Sequence, residues 1–287
     1  MRRSWIFVPG HRESMLAKVH DMAADCVILD LEDSVPPAEK AAARSLVGER
    51  VAALSAAKRL YVRVNKSRHL YSLDDLLAVV RPGLAGIVLA MPEGPEDVAL
   101  AAALIGEAED RNGVAEGAIR IVPALETPRG LQLAYECALH PRVEALIGAY
   151  AKGADLERAM GFEWSEAGTE ALYIKSRVVT ACRAAGKLPI GGLWQQVHDL
   201  DGLKRHAEAD RRLGFAGTTI LHPANAAVVN AVFSASPEQL AQYRAMIVAY
   251  AQAEAAGKGA VMFGGEHIDR AHVETARAAL RQAGEEA

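Results

Sequence analysis

Three groups of residues in this sequence of 287 could do chemistry. The first is an acid cluster, Asp30-Leu31-Glu32-Asp33, at the end of the apolar run Cys26–Leu31. Like charges crowded this closely raise one carboxyl pKa unless a cation stands among them. The second is Arg63, inside Tyr-Val-Arg-Val-Asn and flanked by β-branched residues. A guanidinium there must be paired. It could take Glu32 or Asp33 as a structural counter-ion, or grip a substrate carboxylate bidentately. The two are compatible: an acid can hold one edge of the fork while a substrate takes the other. The third group is Glu126 and Asp155, separate acids that each open a helical stretch. Two carboxylates plus waters ordinarily hold Mg²⁺, with substrate completing the octahedron. The plainer reading is two exposed acids at helix N-termini, favoured by the dipole. His222, before Pro223, reads as a packing residue. Arg2 and Arg3 either steer an anionic cofactor or form a solvated face.

The elements that must position these side chains are legible as alternation. Eight short apolar or β-branched runs recur: Trp5–Val8, Cys26–Leu31, Leu60–Val64, Gly86–Met91, Arg120–Leu125, Ala145–Tyr150, Leu188–Leu193 and Gly217–Leu221. Helical patterns separate them. Ser72 stands three residues before Asp75, a capping-box spacing, and Thr127 precedes a proline at the first helical position. Gly186 and Gly214 close the helical stretches from about Glu170 and Leu200. Eight strand–helix units predict an α/β fold, a (β/α)₈ TIM barrel, over 1–233. An open doubly wound sheet would carry a glycine-rich turn after its first strand, and none is present. In a parallel barrel the acids and Arg63 fall at the carboxyl ends of the strands, where catalysis collects. Residues 234–287 form a C-terminal helical extension. It opens with Ser236-Pro-Glu-Gln239, passes through a glycine-flanked turn or hairpin at Gly259–Gly265, and ends in a helix from about Asp269 to Ala283. It is either a packing appendage or a lid that swaps onto a neighbouring subunit.

Composition removes other classes. Lys and Arg number 32 against 36 Asp and Glu, a net charge of −4, which argues against a nucleic-acid partner. No uncharged apolar run approaches the roughly 20 residues of a membrane helix. Cys26, Cys137 and Cys182 are isolated, with no zinc spacing, and read as buried thiols of a reduced, cytoplasmic protein.

Six motifs in order then resemble the HpcH/HpaI aldolase and citrate lyase β-subunit superfamily, specifically its CitE-like CoA-ester lyases. They are Arg3-Ser-Trp-Ile-Phe-Val-Pro9-Gly10, Asp25-Cys-Val-Ile-Leu-Asp30-Leu-Glu32-Asp33, Arg63-Val-Asn65, Leu125-Glu126-Thr-Pro, Asp155-Leu-Glu-Arg-Ala-Met-Gly161, and Gly214-Phe-Ala-Gly through His222-Pro223. Gly264-Gly-Glu-His-Ile-Asp269 is similar to the tail motif of stand-alone members. The resemblance implies a TIM barrel in a homotrimer or a multiple of it. It implies Mg²⁺, with Mn²⁺ as a substitute, held by Glu126 and Asp155. Arg63 would bind the substrate carboxylate or carbonyl, with Glu32 and Asp33 organising Arg63 and metal-bound water. Arg3 would contact the coenzyme A portion, and Asp269 would reach a neighbour's site as acid/base. The implied activity is carbon–carbon cleavage of a 3-hydroxyacyl-CoA, such as malyl-CoA or citramalyl-CoA, to acetyl-CoA and the 2-oxoacid glyoxylate or pyruvate, or hydrolysis of the thioester. The alternatives are a CoA-independent, metal-dependent oxoacid aldolase and a catalytically silent regulatory or scaffold barrel. The departures from the family pattern are Met91 for its lysine, Gly191 for its aspartate, Thr218 for its second lysine, and a longer segment over 148–155.

Overall fold

Strands that are apolar on both faces must be covered on both, and a barrel sheathed in helices does this. In the computed structural model, which describes residues 1–285, eight such strands close into a parallel barrel. They are β1 (Ser4–Pro9), β2 (Cys26–Asp30), β3 (Arg59–Val64), β4 (Gly86–Leu89), β5 (Arg120–Leu125), β6 (Ala145–Gly148), β7 (Leu188–Gly191) and β8 (Gly217–Ile220). Each pairs with the next, and β8 closes onto β1 with Ser4 opposite Thr218. Alternate residues face inward, so Trp5, Ile28, Tyr61, Val88, Val122 and Ile190 fill the barrel. Their neighbours Ile6, Val27, Leu29, Leu60 and Val62 pack outward against the helices. At the amino end the barrel is plugged by polar groups. Tyr61 donates to Glu144 at 2.6 Å, and Arg2 and Arg59 pair with the same carboxylate.

The helix entries follow the expected chemistry. Ser72 accepts from the Asp75 amide and Thr127 from the Gly130 amide, each capping its helix. The Asp75 side chain does not complete a reciprocal box; it is drawn instead to Arg44 and Asn65. The three cysteines are buried and free. Burial pushes each thiol up to about 12, which leaves them inert as nucleophiles.

Contacts divide the chain into two compact units, Arg2–Phe233 and the segment from Ser234 together with Met1. The second unit is built from the helix Pro237–Ala255, the hairpin β9 (Ala260–Phe263) and β10 (Glu266–Asp269), and the helix Arg270–Ala283. Ser236 and Gln239 form a full capping box. Gly264 and Gly265 both have positive φ, 58° and 87°, as a two-residue hairpin turn demands. Tyr250, Ile268 and Val273 make its small core. Residues 286–287 of the expected extension lie outside the described residues. No helix among the described residues is long and apolar enough to cross a membrane.

Candidate active site

The β2–β3 register sets Asp30 directly beside Arg63, both at the carboxyl end of the barrel. The Arg63 Nε and Nη2 groups donate to the two Asp30 oxygens at 2.7 and 2.8 Å. The side chains are 11% and 1% exposed, so this is a buried, bidentate pair. The fork is thus held by Asp30, and the expected partners Glu32 and Asp33 lie within ion-pair distance as well. Those two acids face the other edge. Arg63 Nη1 lies 3.2 Å from Glu32 Oε2, 3.7 Å from Asp33 Oδ2 and 4.0 Å from Glu126 Oε1. One guanidinium edge is therefore fixed, while Nη1 is shared among carboxylates beside a cavity. The Phe7 ring supports the guanidinium from one side, 5.0 Å from Cζ.

Burial and this guanidinium compete for the acids. Asp30 is held below the usual carboxylate range because the hydrogen bonds and charge of Arg63, with the Ser34 and Glu32 amides, outweigh its burial. Glu32 is pushed up to about 7, first by burial and then by Asp33, against the pull of Arg63. Glu126 is also pushed up to about 7, again first by burial, with Glu32 and Asp155 adding repulsion. Crowding alone is therefore the smaller cause. Glu126 Oε2 accepts the Met91 amide at 3.1 Å. That amide is aimed by an uncommon backbone, since Met91 has φ 47° without being glycine. Lys66 donates to the Met91 carbonyl and to Asp97, both at 2.7 Å, and so holds the bend.

Asp155 begins the short helix Asp155–Met160 and is partly exposed, paired with Arg158. Its charge is felt at Glu126. Among the described residues, no three His, Cys, Asp or Glu side chains converge as a metal cage. Glu126 lines the cavity and Asp155 does not; a divalent ion beside Glu126 would offset the repulsion that raises it.

The cavity above the cluster measures about 940 Å³. Asp30, Asp33, Arg63 and Glu126 lie on its walls, and Ala149, Ala151 and Ala154 of the loop leading to Asp155 form one side. Lys18 and His222 also line the cavity. Arg3 is elsewhere. It stands at the amino end of β1, its guanidinium bidentate to Asp25, and the structure does not bring it to the cavity. Asp269 lies in the second unit, where it caps the helix Arg270–Ala283 and faces His272 at 2.7 Å. Lys40 was not anticipated from sequence. Its Nζ donates to the Leu31 and Glu32 carbonyls and to Asn65 Oδ1, pinning the acid loop from behind. A lysine eight residues beyond an acid loop is too common a pattern to have signalled this.

Comparison with known proteins gives the family. The model of the HpcH/HpaI aldolase/citrate lyase family matches residues 3–223. A (3S)-malyl-CoA thioesterase of Cereibacter sphaeroides is 30% identical over 282 residues, covering 98% of this chain and 94% of that one. The citrate lyase subunit beta of Haemophilus influenzae is 30% identical over 284 residues, covering 99% and 97%. Among solved structures, the protein CitE from Mycobacterium tuberculosis, in complex with magnesium, acetoacetate and coenzyme A, superposes with a TM-score of 0.74. It is 28% identical, over 99% of this chain and 98% of that one. The chain belongs to the HpcH/HpaI aldolase/citrate lyase family.

Proposed function

We propose that the chain cleaves a 3-hydroxyacyl-CoA bearing a distal carboxylate, such as malyl-CoA or citramalyl-CoA, to acetyl-CoA and glyoxylate or pyruvate. One observation carries the reading. Asp30 fixes one edge of a buried arginine, and Nη1 is left facing Glu32, Asp33 and Glu126, the last two on the cavity wall. Such an arginine is preorganised for an oxygen that gains charge as the carbon–carbon bond breaks. Glu126 and Asp155 would hold Mg²⁺, as magnesium accompanies acetoacetate and coenzyme A in the M. tuberculosis relative. When bound, the ion supplies Lewis-acid polarisation and a template for the oxoacid.

The remaining work falls to the chain's own groups. Arg63 Nη1 donates to the substrate oxygen at the reacting carbon. Glu32 Oε2, beside Nη1, takes the hydroxyl proton as the bond between the hydroxyl-bearing carbon and the thioester's α-carbon breaks. The electron pair passes into the thioester enolate, and Asp269 from a neighbouring subunit relays a proton from solvent to that carbon. The apolar wall of Val8, Ile147 and Leu193 excludes water from the enolate, and Lys18 suits the phosphates of coenzyme A better than Arg3 does. Hydrolysis of the thioester is the second reading, favoured by the named activity of the C. sphaeroides relative.

The test is to incubate the protein with malyl-CoA and citramalyl-CoA and follow the oxoacid and the free thiol separately. Release of oxoacid without thiol supports cleavage, and thiol release supports hydrolysis. Mixing Asp269→Ala with Arg63→Lys protein tests the shared site: activity regained in mixed oligomers supports it, and none regained removes Asp269 from the mechanism. Neither product from either ester, together with no Mg²⁺-dependent thermal shift in pyruvate, would leave a silent barrel. Activity on a free oxoacid without any thermal shift in acetyl-CoA would leave a CoA-independent aldolase.

A further inference from the structure

Outside the barrel, between the helices Leu172–Ala184 and Leu200–Leu213 and the loops after β6 and β7, lies a second cavity of about 390 Å³. Tyr150, Trp164, Lys175, Trp194, Arg205 and His206 line it. Behind its lining residues Tyr150, Lys175 and His206 lies a buried charged group that the proposed chemistry does not use. Asp210 accepts from Tyr150 at 2.5 Å and lies 3.0 Å from Lys175 Nζ and 3.5 Å from His206 Nε2. Gly191 makes room for it: a Cβ there would meet Asp210 at 2.5 Å and Tyr150 at 2.8 Å.

Two hydrogen-bond donors on the cavity wall lack full satisfaction. Lys175 is 7% exposed, and its ammonium meets one carboxylate and the Tyr150 face, 4.7 Å from the centroid. An ammonium carries three donors. Trp194 is 6% exposed, and its indole nitrogen is buried without a partner. Leaving such donors unmet costs about 1–3 kcal/mol each, which a ligand acceptor would recover. The two indoles, 5.8 Å apart and tilted by 57°, offer aromatic faces alongside these donors. An exposed ion pair, Arg205 with Glu166, ties the helix Leu200–Leu213 to the loop beside the cavity.

We infer that this cavity is a binding site for a small monocarboxylate with a planar apolar body, its carboxylate on Lys175 and Trp194 and its body against the indoles. The site is separate from the barrel mouth, although the same loops serve both. Ala149 and Ala151 line the barrel-mouth cavity and Tyr150 the second; Gly192 and Leu193 line the first and Trp194 the second.

The chain reports its own occupancy. Of its three tryptophans, Trp164 and Trp194 line the cavity, and Trp5 is inside the barrel. Titration of the intact protein with benzoate should change tryptophan emission saturably, with half-saturation at about 1 mM or below. Neutral benzamide should bind at least roughly tenfold more weakly, and so should benzoate to Lys175→Met. Ala209→Leu narrows the cavity without touching a polar group and keeps the test valid where Lys175→Met fails to fold. It should abolish the response while leaving the melting temperature near that of the wild type. No saturable change with benzoate, or an equal change in folded Ala209→Leu, would overturn the inference.

Discussion

Replacing Asp30 by asparagine keeps the shape of the side chain and removes its charge. The native carboxylate accepts four hydrogen bonds: two from Arg63 at 2.7 and 2.8 Å, and the Glu32 and Ser34 amides at 3.0 Å each. Asparagine keeps one carbonyl oxygen and presents an amide donor where the other accepted. Removing one partner of a buried ion pair costs about 3–5 kcal/mol, because the survivor remains charged and out of water. Glu32, 3.2 Å from Nη1, offsets part of that loss, so the lower end applies, about 3 kcal/mol. For a domain of this size that is a fall in Tm of about 6–12 °C. Arg111→Ala is the control, because its pair with Glu107 is 56% and 49% exposed and should matter little. Thermal denaturation followed by circular dichroism at pH 7 measures both. A fall no larger in Asp30→Asn than in the control would refute the claim that Asp30 holds the arginine.

Further expectations concern the same cluster. Glu126 titrates near 7 in the folded chain, above its unfolded value of about 4.3, so without metal it removes stability as pH rises through that window. Glu126→Gln should therefore be more stable than the wild type at pH 8, by up to about 3 kcal/mol, and equal to it near pH 4. Asp30 acts with the opposite sign: its depressed pKa gives stability above the unfolded value, lost as pH falls through the folded one. Denaturant titrations at pH 4 and 8 separate the two. Met91→Asn should raise stability by up to about 1 kcal/mol, since asparagine tolerates positive φ and keeps the amide aimed at Glu126; a lower Tm would count against strain at this bend. Lys40→Met strips a donor from three acceptors and should cost about 2 kcal/mol or more by the same melts, a neutral result showing that the acid loop is held otherwise.

The barrel was legible because its strands are short, apolar and evenly spaced. Observed ends differ from the expected runs mostly by one or two residues, as at β4, which stops at Leu89 because the chain turns through positive φ at Met91. Caps at Ser72, Thr127 and Ser236 were legible because their chemistry is local. The partner of Arg63 was not. Choosing among Asp30, Glu32 and Asp33 needs the β2–β3 register, a property of two strands and not of one. The Tyr150–Lys175–Asp210 group was invisible for the same reason, its members being far apart in sequence and brought together only where the helices Leu172–Ala184 and Leu200–Leu213 pack beside the end of β6. Lys66 and Lys40 act on backbone carbonyls, which leave no trace in a pattern of side chains.

The most direct test of the account is a crystal soaked with Mn²⁺ and pyruvate, with anomalous scattering used to find the ion. The account predicts one peak within about 2.0–2.3 Å of oxygens from both Glu126 and Asp155, with pyruvate reaching Arg63 Nη1. A peak bound away from these acids, or pyruvate bound without contact to Arg63, would contradict it.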